Sequence, residues 1–203
     1  CYAFNDYFGR PLSDAQLLQL TAECEGGVSG AVHYDNVAPS MVGGLLLMLP
    51  ESPLLYRQLP WFAHWQVVLC YPGTVLSTRE ARAVLPSQLS LKHSIRFAGG
   101  LSRFVSAMYS QDEADALAAL QDLVAEPARL PLIPELSQIR ADLMAQGIGH
   151  VGISGAGPTL FAVCQTPAQS ELAAAYFRAH YEKNQDAMTQ ICQIAASGAR
   201  RIL

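Results

Sequence analysis

Apolar positions along this chain follow two spacings. Over residues 91–123 they recur every three or four positions, with Phe97, Leu101, Phe104 and Met108 on one stripe and Leu117, Leu120 and Val124 on another, which is the helical period. Elsewhere they form short continuous runs bounded by Gly and Pro, at 41–49, 65–71, 150–154, 159–164 and 188–196, and these read as strands. Helix starts are marked by capping-box spacing, Ser13 with Gln16, Ser77 with Glu80 and Thr166 with Gln169, the last with Pro167 at the first helical position. The helix after Ser13 runs through Leu17, Leu20 and Cys24 and is expected to stop at Gly26-Gly27, which puts Glu25 at its end. Another starts at Pro134 and carries Leu136, Ile139 and Leu143; the helix after Thr166 buries Leu172, Tyr176 and Ala179. Pro127 disfavours helix at Glu126, so Arg129 is expected beside a break. Residues 50–60 read as a proline-rich loop and the domain boundary, giving domains at 1–58 and 59–203. From residue 65 the order is strand, helices, strand, strand, helix, strand. That order predicts an α+β sandwich, with an antiparallel sheet and helices on one face.

Composition narrows the function classes. With 51% hydrophobic and 15% charged residues over 203 positions, the chain can bury a sizeable core. A net charge of -4 with no basic stripe argues against nucleic acid, and no apolar run is long enough to cross a bilayer, so a cytoplasmic small-molecule protein is expected. Five cysteines with no Cys-x-x-Cys pair read as reduced, buried thiols rather than a metal or disulfide framework. The sequence opens on Cys1-Tyr2-Ala3-Phe4-Asn5 with neither Met nor a capping residue, as though a helix were entered near its end; the expectation is part of a longer chain.

Four stretches carry candidate chemistry. Glu25 is a carboxylate where the helix dipole is negative, so it is either solvated or beside a cation. His33, Asp35 and Asn36 follow within a few residues and can donate, accept or ligate, although Asp-Asn also makes ordinary Asx turns. Thr78 and Arg82, four apart, share one face of a first helical turn suited to an anion. Gly152-Ile153-Ser154-Gly155-Ala156-Gly157-Pro158-Thr159 is either a tight hairpin turn or a loop built for close backbone approach, and it matches neither common nucleotide fingerprint.

Taken together, His33-Tyr34-Asp35-Asn36-Val37-Ala38-Pro39, Gly43-Gly44, Ser77-Thr78-Arg79-Glu80-Ala81-Arg82-Ala83-Val84-Leu85-Pro86, Glu126-Pro127 and the Gly-rich stretch resemble the homoserine kinases, over essentially the whole chain. These belong to the GHMP small-molecule kinase superfamily shared with mevalonate and galactose kinases. The resemblance implies a GHMP-kinase fold, remnant amino-terminal domain first, and ATP-dependent phosphorylation of L-homoserine in threonine biosynthesis. It implies Glu25 as the Mg²⁺ ligand, and Thr78, Arg82 and Arg129 on the substrate carboxylate. Asp35 and Asn36 would sit at the reacting hydroxyl, His33 would shape that pocket, and Ser154, Gly155 and Gly157 would support the phosphate region. No general base is assigned. Two departures stand out: Ala156 occupies a place where the family has Ser, and the phosphate-wrapping Pro-x-x-x-Gly-Leu-Gly-Ser-Ser type loop would precede Cys1. The segment therefore reads as the carboxy-terminal two-thirds of such an enzyme, inactive alone, with association or a homodimer expected from exposed apolar surface. A non-catalytic amino-acid-binding module and a GHMP kinase for another alcohol stay open as alternatives.

Overall fold

The computed structural model describes residues 1–30, 32–49, 52 and 55–200, with the side chains of Val28 and Ser29 left aside. Pro50, Glu51, Pro53 and Leu54, which fall in the stretch read above as a loop, lie outside the described residues. The chain divides into two compact units, residues 1–61 with the tail from Ile194, and Phe62–Gln193. The division expected at 58/59 differs in two respects: the first crossing comes after Trp61, and the tail returns to the first unit.

The first unit contains α1 (Tyr2–Tyr7), α2 (Asp14–Ser29), α3 (Val37–Val42), β1 (Leu45–Leu49) and β2 (Leu55–Leu59). The Ser13/Gln16 capping box forms as its spacing requires. α2 does not stop at Gly26-Gly27; it continues to Ser29 and closes at Gly30, whose φ of 86° is a left-handed cap. Gly26 serves packing instead, because a Cβ there would lie 2.9 Å from Val32 Cγ2. The strand expected from Met41 starts only at Leu45, since Val37–Val42 is helical; Pro39 is tolerated in that first turn, where its missing N–H has no intrahelical acceptor. Within the stretch read as a loop, β2 pairs antiparallel with β1, Leu45 opposite Leu59 and Leu49 opposite Leu55. The tail closes the unit: Gly44 N–H donates to the Ala195 carbonyl (2.8 Å) and Ala199 N–H to that of Ser40 (2.9 Å).

The second unit contains β3 (Gln66–Tyr71), α4 (Thr78–Ala83), α5 (Leu91–Ser110), α6 (Glu113–Ala119), α7 (Ala125–Arg129), a 3-10 turn at Leu130–Leu132, α8 (Leu136–Ala145), β4 (His150–Ile153), β5 (Leu160–Cys164), α9 (Pro167–His180) and β6 (Met188–Cys192). The four strands form one antiparallel sheet in the order β4-β5-β3-β6. Alternation along the strands sends Val68, Cys70, Val151, Leu160, Ala162 and Cys164 into one core with Leu136, Ile139 and Leu143 of α8 and Ala173, Ala174 and Phe177 of α9. Each large apolar side chain buried there stabilises the fold by about 1.5–3 kcal/mol. The α+β sandwich expected from the element order is this unit. The helical stretch 91–123 breaks at Gln111, which adopts φ 59°, and Asp112 then caps α6 through the Asp115 amide (3.0 Å). Pro127 does not exclude helix; it sits inside the first turn of α7. α8 starts at Leu136, two residues after Pro134, and β6 ends at Cys192 rather than 196.

Glu113 Oε2 joins three segments of this unit, accepting from Trp65 Nε1 (2.8 Å), Gln165 Nε2 (2.8 Å) and His64 Nε2 (3.1 Å). The Trp65 bond, followed by that of Gln165, holds its carboxyl below the usual range. All five cysteines are free; Cys70 and Cys164 are buried as expected, whereas Cys1 and Cys24 are exposed. Among the described residues no helix is long and apolar enough to cross a membrane.

Candidate functional site

The second unit brings three of the sequence-derived features to one place through a single side chain. Arg129 is the last residue of α7, and its Nε donates to the Ala81 carbonyl of α4 at 3.2 Å while Nη1 donates to the Gly155 carbonyl of the Gly-rich loop at 2.9 Å. Ala81 is fully buried, so α4 is seated by it, with Thr78 and Arg82 on its exposed side. The Ser77/Glu80 capping box does not form: Ser77 is the N-cap, but its side chain makes no cap bond. Among the described residues neither Arg82 nor Arg129 has a carboxylate within ion-pair distance. Arg129 is half-buried, and Arg82 directly follows Ala81, to whose carbonyl Arg129 donates.

The loop that meets Arg129 is a tight connection between β4 and β5. Ser154 N–H donates to the Thr159 carbonyl (2.8 Å) and Gly157 N–H to the Ser154 carbonyl (3.1 Å), whereas the amides of Gly155 and Ala156 have no partner among the described residues. Gly155 (φ 59°) faces open space; Gly157 (φ 85°) is packed so closely that a Cβ would lie 2.7 Å from Ile133 Cδ1. Glycine is favoured at the first by backbone angle alone, as the non-glycine Gln111 at φ 59° shows, and at the second by angle and space together. Tyr181, buried under the loop, donates its hydroxyl to the Pro158 carbonyl (2.6 Å), and burial raises its pKa.

Beside the loop runs a largely apolar groove of about 580 Å³, lined by Phe97, Leu101 and Phe104 of α5, Leu120, Ile153 and Phe161, with Gln121, Asp122, Glu126, Arg129 and His150 as polar members. Burial, and then the Arg140 charge, lower the His150 pKa to about 4, so its ring is neutral near pH 7. Arg140 itself bonds Glu126 Oε2 (2.5 Å) and the Val151 carbonyl (2.8 Å). Sequence reasoning missed Arg140 and His150. The Glu126–Arg140 pair joins residues 14 apart on different helices, which no helical spacing reveals, and a lone His opening a strand carries no signal of its own.

The other candidates belong to the first unit. Val32 packs on Gly26, so the residue before His33 lies against the last turns of α2. Glu25, His33, Asp35 and Asn36 are all exposed. Asn36 is the N-cap of α3, its carbonyl accepting from Ser40 N–H (3.3 Å) and Ser40 Oγ (2.8 Å), with no side-chain cap bond. No group of three His, Cys, Asp or Glu side chains converges on a metal position among the described residues. Such a donor set does not enclose a cation by itself; it fits Mg²⁺ only in the mode where one carboxylate shares the ion with phosphate and water.

Comparison with known proteins agrees with both units. The family "GHMP kinases N terminal domain" matches residues 1–44, and "GHMP kinases C terminal" matches residues 104–183, together more than half of the chain. The homoserine kinase from Cytophaga hutchinsonii is similar at 27% identity with a TM-score of 0.88, covering 97% of this chain and 63% of its own. A putative homoserine kinase from Listeria monocytogenes aligns at 22% identity (TM-score 0.67; 96% of this chain, 62% of its own). The L. major mevalonate kinase solved with R-mevalonate aligns at 14% (TM-score 0.69; 96% and 63%). The last two speak for the fold alone. Matched by both family models and in its fold, this chain belongs to the GHMP kinase family.

Proposed function

We propose that the protein carrying this chain is a homoserine kinase, transferring the γ-phosphoryl group of ATP to the hydroxyl of L-homoserine. The observation that carries this reading is the Arg129 junction, which ties α4 to the Gly-rich loop through one guanidinium that has no carboxylate within ion-pair distance among the described residues; Arg82, next to Ala81 on α4, likewise has none. An amino-acid substrate supplies the carboxylate such a pair takes, with Thr78 as a further donor on the Arg82 face. The unpartnered amides of Gly155 and Ala156 suit a phosphate or carboxylate oxygen, with Ser154 and Gly157 shaping the turn that exposes them. In the first unit Glu25 is the ligand for Mg²⁺, Asp35 and Asn36 are the polar groups for the reacting hydroxyl, and His33 borders them. Bound Mg²⁺ would neutralise charge on the phosphates; the protein's part in phosphoryl transfer is otherwise positioning.

The chain spans 63% of the Cytophaga enzyme's length, so turnover is proposed for the protein at its full natural length and not for these residues alone. The test is ATP consumption with Mg²⁺ and either L-homoserine or R-mevalonate as acceptor. Turnover with L-homoserine, reduced by Arg82→Ala mainly through a higher KM, is expected. Turnover with R-mevalonate and none with L-homoserine would transfer the site to another alcohol; saturable L-homoserine binding with no phosphorylation of either acceptor would make the protein a binding module.

A further inference from the structure

α7 is only five residues long, too short to hold its shape by its own hydrogen bonds, yet Arg129 stands at its end. Its position is set by side chains. Asp122 fixes the start, Oδ1 accepting from the Val124 and Ala125 amides (both 2.8 Å) and Oδ2 from that of Glu126 (3.0 Å). The middle is held by Arg140 of α8, whose Nη2 bonds Glu126 Oε2 at 2.5 Å, in a pair whose side chains are 26% and 12% exposed. The same guanidinium donates Nε to the Val151 carbonyl on β4, an edge strand, at 2.8 Å. Four residues beyond Val151 is Gly155, whose carbonyl accepts from Arg129. A closed circuit results: Arg140 ties α7 to β4, α7 carries Arg129, and Arg129 returns to the loop that β4 leads into.

We infer that Arg140 is a positioning residue for Arg129: by holding Glu126 and Val151 together it sets the distance between the end of α7 and the Gly-rich loop, and so aims the guanidinium toward a ligand carboxylate. The ligand half of this inference rests on the carboxylate role proposed for Arg129; the circuit itself does not. Arg140→Ala leaves the largely buried Glu126 carboxylate without its partner, so the charge-neutral pair Glu126→Gln with Arg140→Gln is made beside it to keep a folded variant in hand. Arg140→Lys supplies one cation that cannot hold both partners in the fork geometry.

Two measurements on the 203-residue chain test it. The first is water exchange of the Arg129 Nε–H by ¹⁵N NMR, which needs no ligand: it is expected to be slow in the native chain, fast in Arg140→Ala and in the double variant, and intermediate in Arg140→Lys. The second is calorimetric affinity for L-homoserine relative to aminopropanol, which is L-homoserine without its carboxylate. The preference is expected to fall by up to about 100-fold in the same variants, as for a misplacement of an ångström or so, and to be partly restored by lysine. Unchanged Arg129 exchange in both the Arg140→Ala and double variants overturns the inference, as does an equal weakening of both ligands. If the native chain shows no preference while the exchange still responds, the positioning circuit stands and the carboxylate reading of Arg129 falls.

Discussion

Arg129 places its Nε–H and one Nη1–H on protein carbonyls and leaves the rest of its guanidinium without a partner among the described residues. The two bonds fix the plane of the group; the remaining donors are the ones the proposed function gives to the substrate carboxylate. Lysine at this position would keep the charge and lose the fork. Arg129→Lys is therefore expected to weaken L-homoserine binding, where the proposed function holds, by roughly tenfold to 100-fold, the worth of one or two charge-assisted hydrogen bonds, and to lower the unfolding midpoint as the Ala81 and Gly155 carbonyls lose their shared donor, as calorimetry and urea titration would show. His150 makes a second residue-scale case. Its folded pKa of about 4 lies below the value of about 6.5 for an exposed histidine, so the unfolded chain takes up this proton first as pH falls. Stability is then expected to decline from about pH 6.5 toward pH 4 and to level off below that, and His150→Gln to flatten that part of the profile. An imidazole NMR titration midpoint near 6.5 in the native protein would contradict it. Thr78, Arg82 and Arg129 were legible in the sequence as candidates. The joining of α4, α7 and the Gly-rich loop was not, because the bonds that cause it reach from Arg129 to residues 48 and 26 positions away.

At the scale of elements, what could be read was what is local. The Ser13/Gln16 and Thr166/Gln169 capping boxes form because every group in them lies within four residues. The same spacing at Ser77/Glu80 does not form its box, since α4 is six residues long and seated by buried Ala81 and the bond from Arg129. β2 escaped notice because Leu55-Tyr56-Arg57-Gln58-Leu59 has no strong strand signature and is held by its partner β1. Glycines were visible as punctuation, but their reasons differ. Gly157 combines a left-handed φ with a blocked Cβ, whereas Gly155 has the φ alone. Gly157→Ala is expected to cost about 1–2 kcal/mol for the backbone angle and more for displacing Ile133, Gly155→Ala only the first of these, so urea unfolding should rank Gly157→Ala as the less stable. Equal losses would mean that Ile133 yields without cost.

For the molecule as a whole, the decisive fact is that the chain leaves the first unit after Trp61 and comes back to it at Ile194. The last apolar run, taken by itself, extends as a strand to residue 196; in the structure that strand ends at Cys192, and the residues from Ile194 onward close the first unit. The closure depends on two glycines that meet backbone to backbone. A Cβ on Gly43 would lie 2.5 Å from the Ser197 carbonyl carbon, and one on Gly198 would lie 2.3 Å from that of Met41, so neither crossing admits a side chain without moving main chain. Gly198→Ala is accordingly expected to release the tail: the Gly44 and Ala199 amides, which bond across this crossing, should exchange about tenfold faster or more, and a protease site should open between residues 193 and 200. Amides of β3 and β5, which belong to the other unit, should keep their protection. Gly100→Ala is the control, since the space around that helical glycine is open and alanine there should stabilise α5 by roughly 0.5–1 kcal/mol. If Gly198→Ala leaves the Gly44 and Ala199 amides unchanged, the tail is not held by this crossing; if it exposes β3 and β5 as well, the two units unfold as one, and the return of the chain couples them instead of merely completing the first.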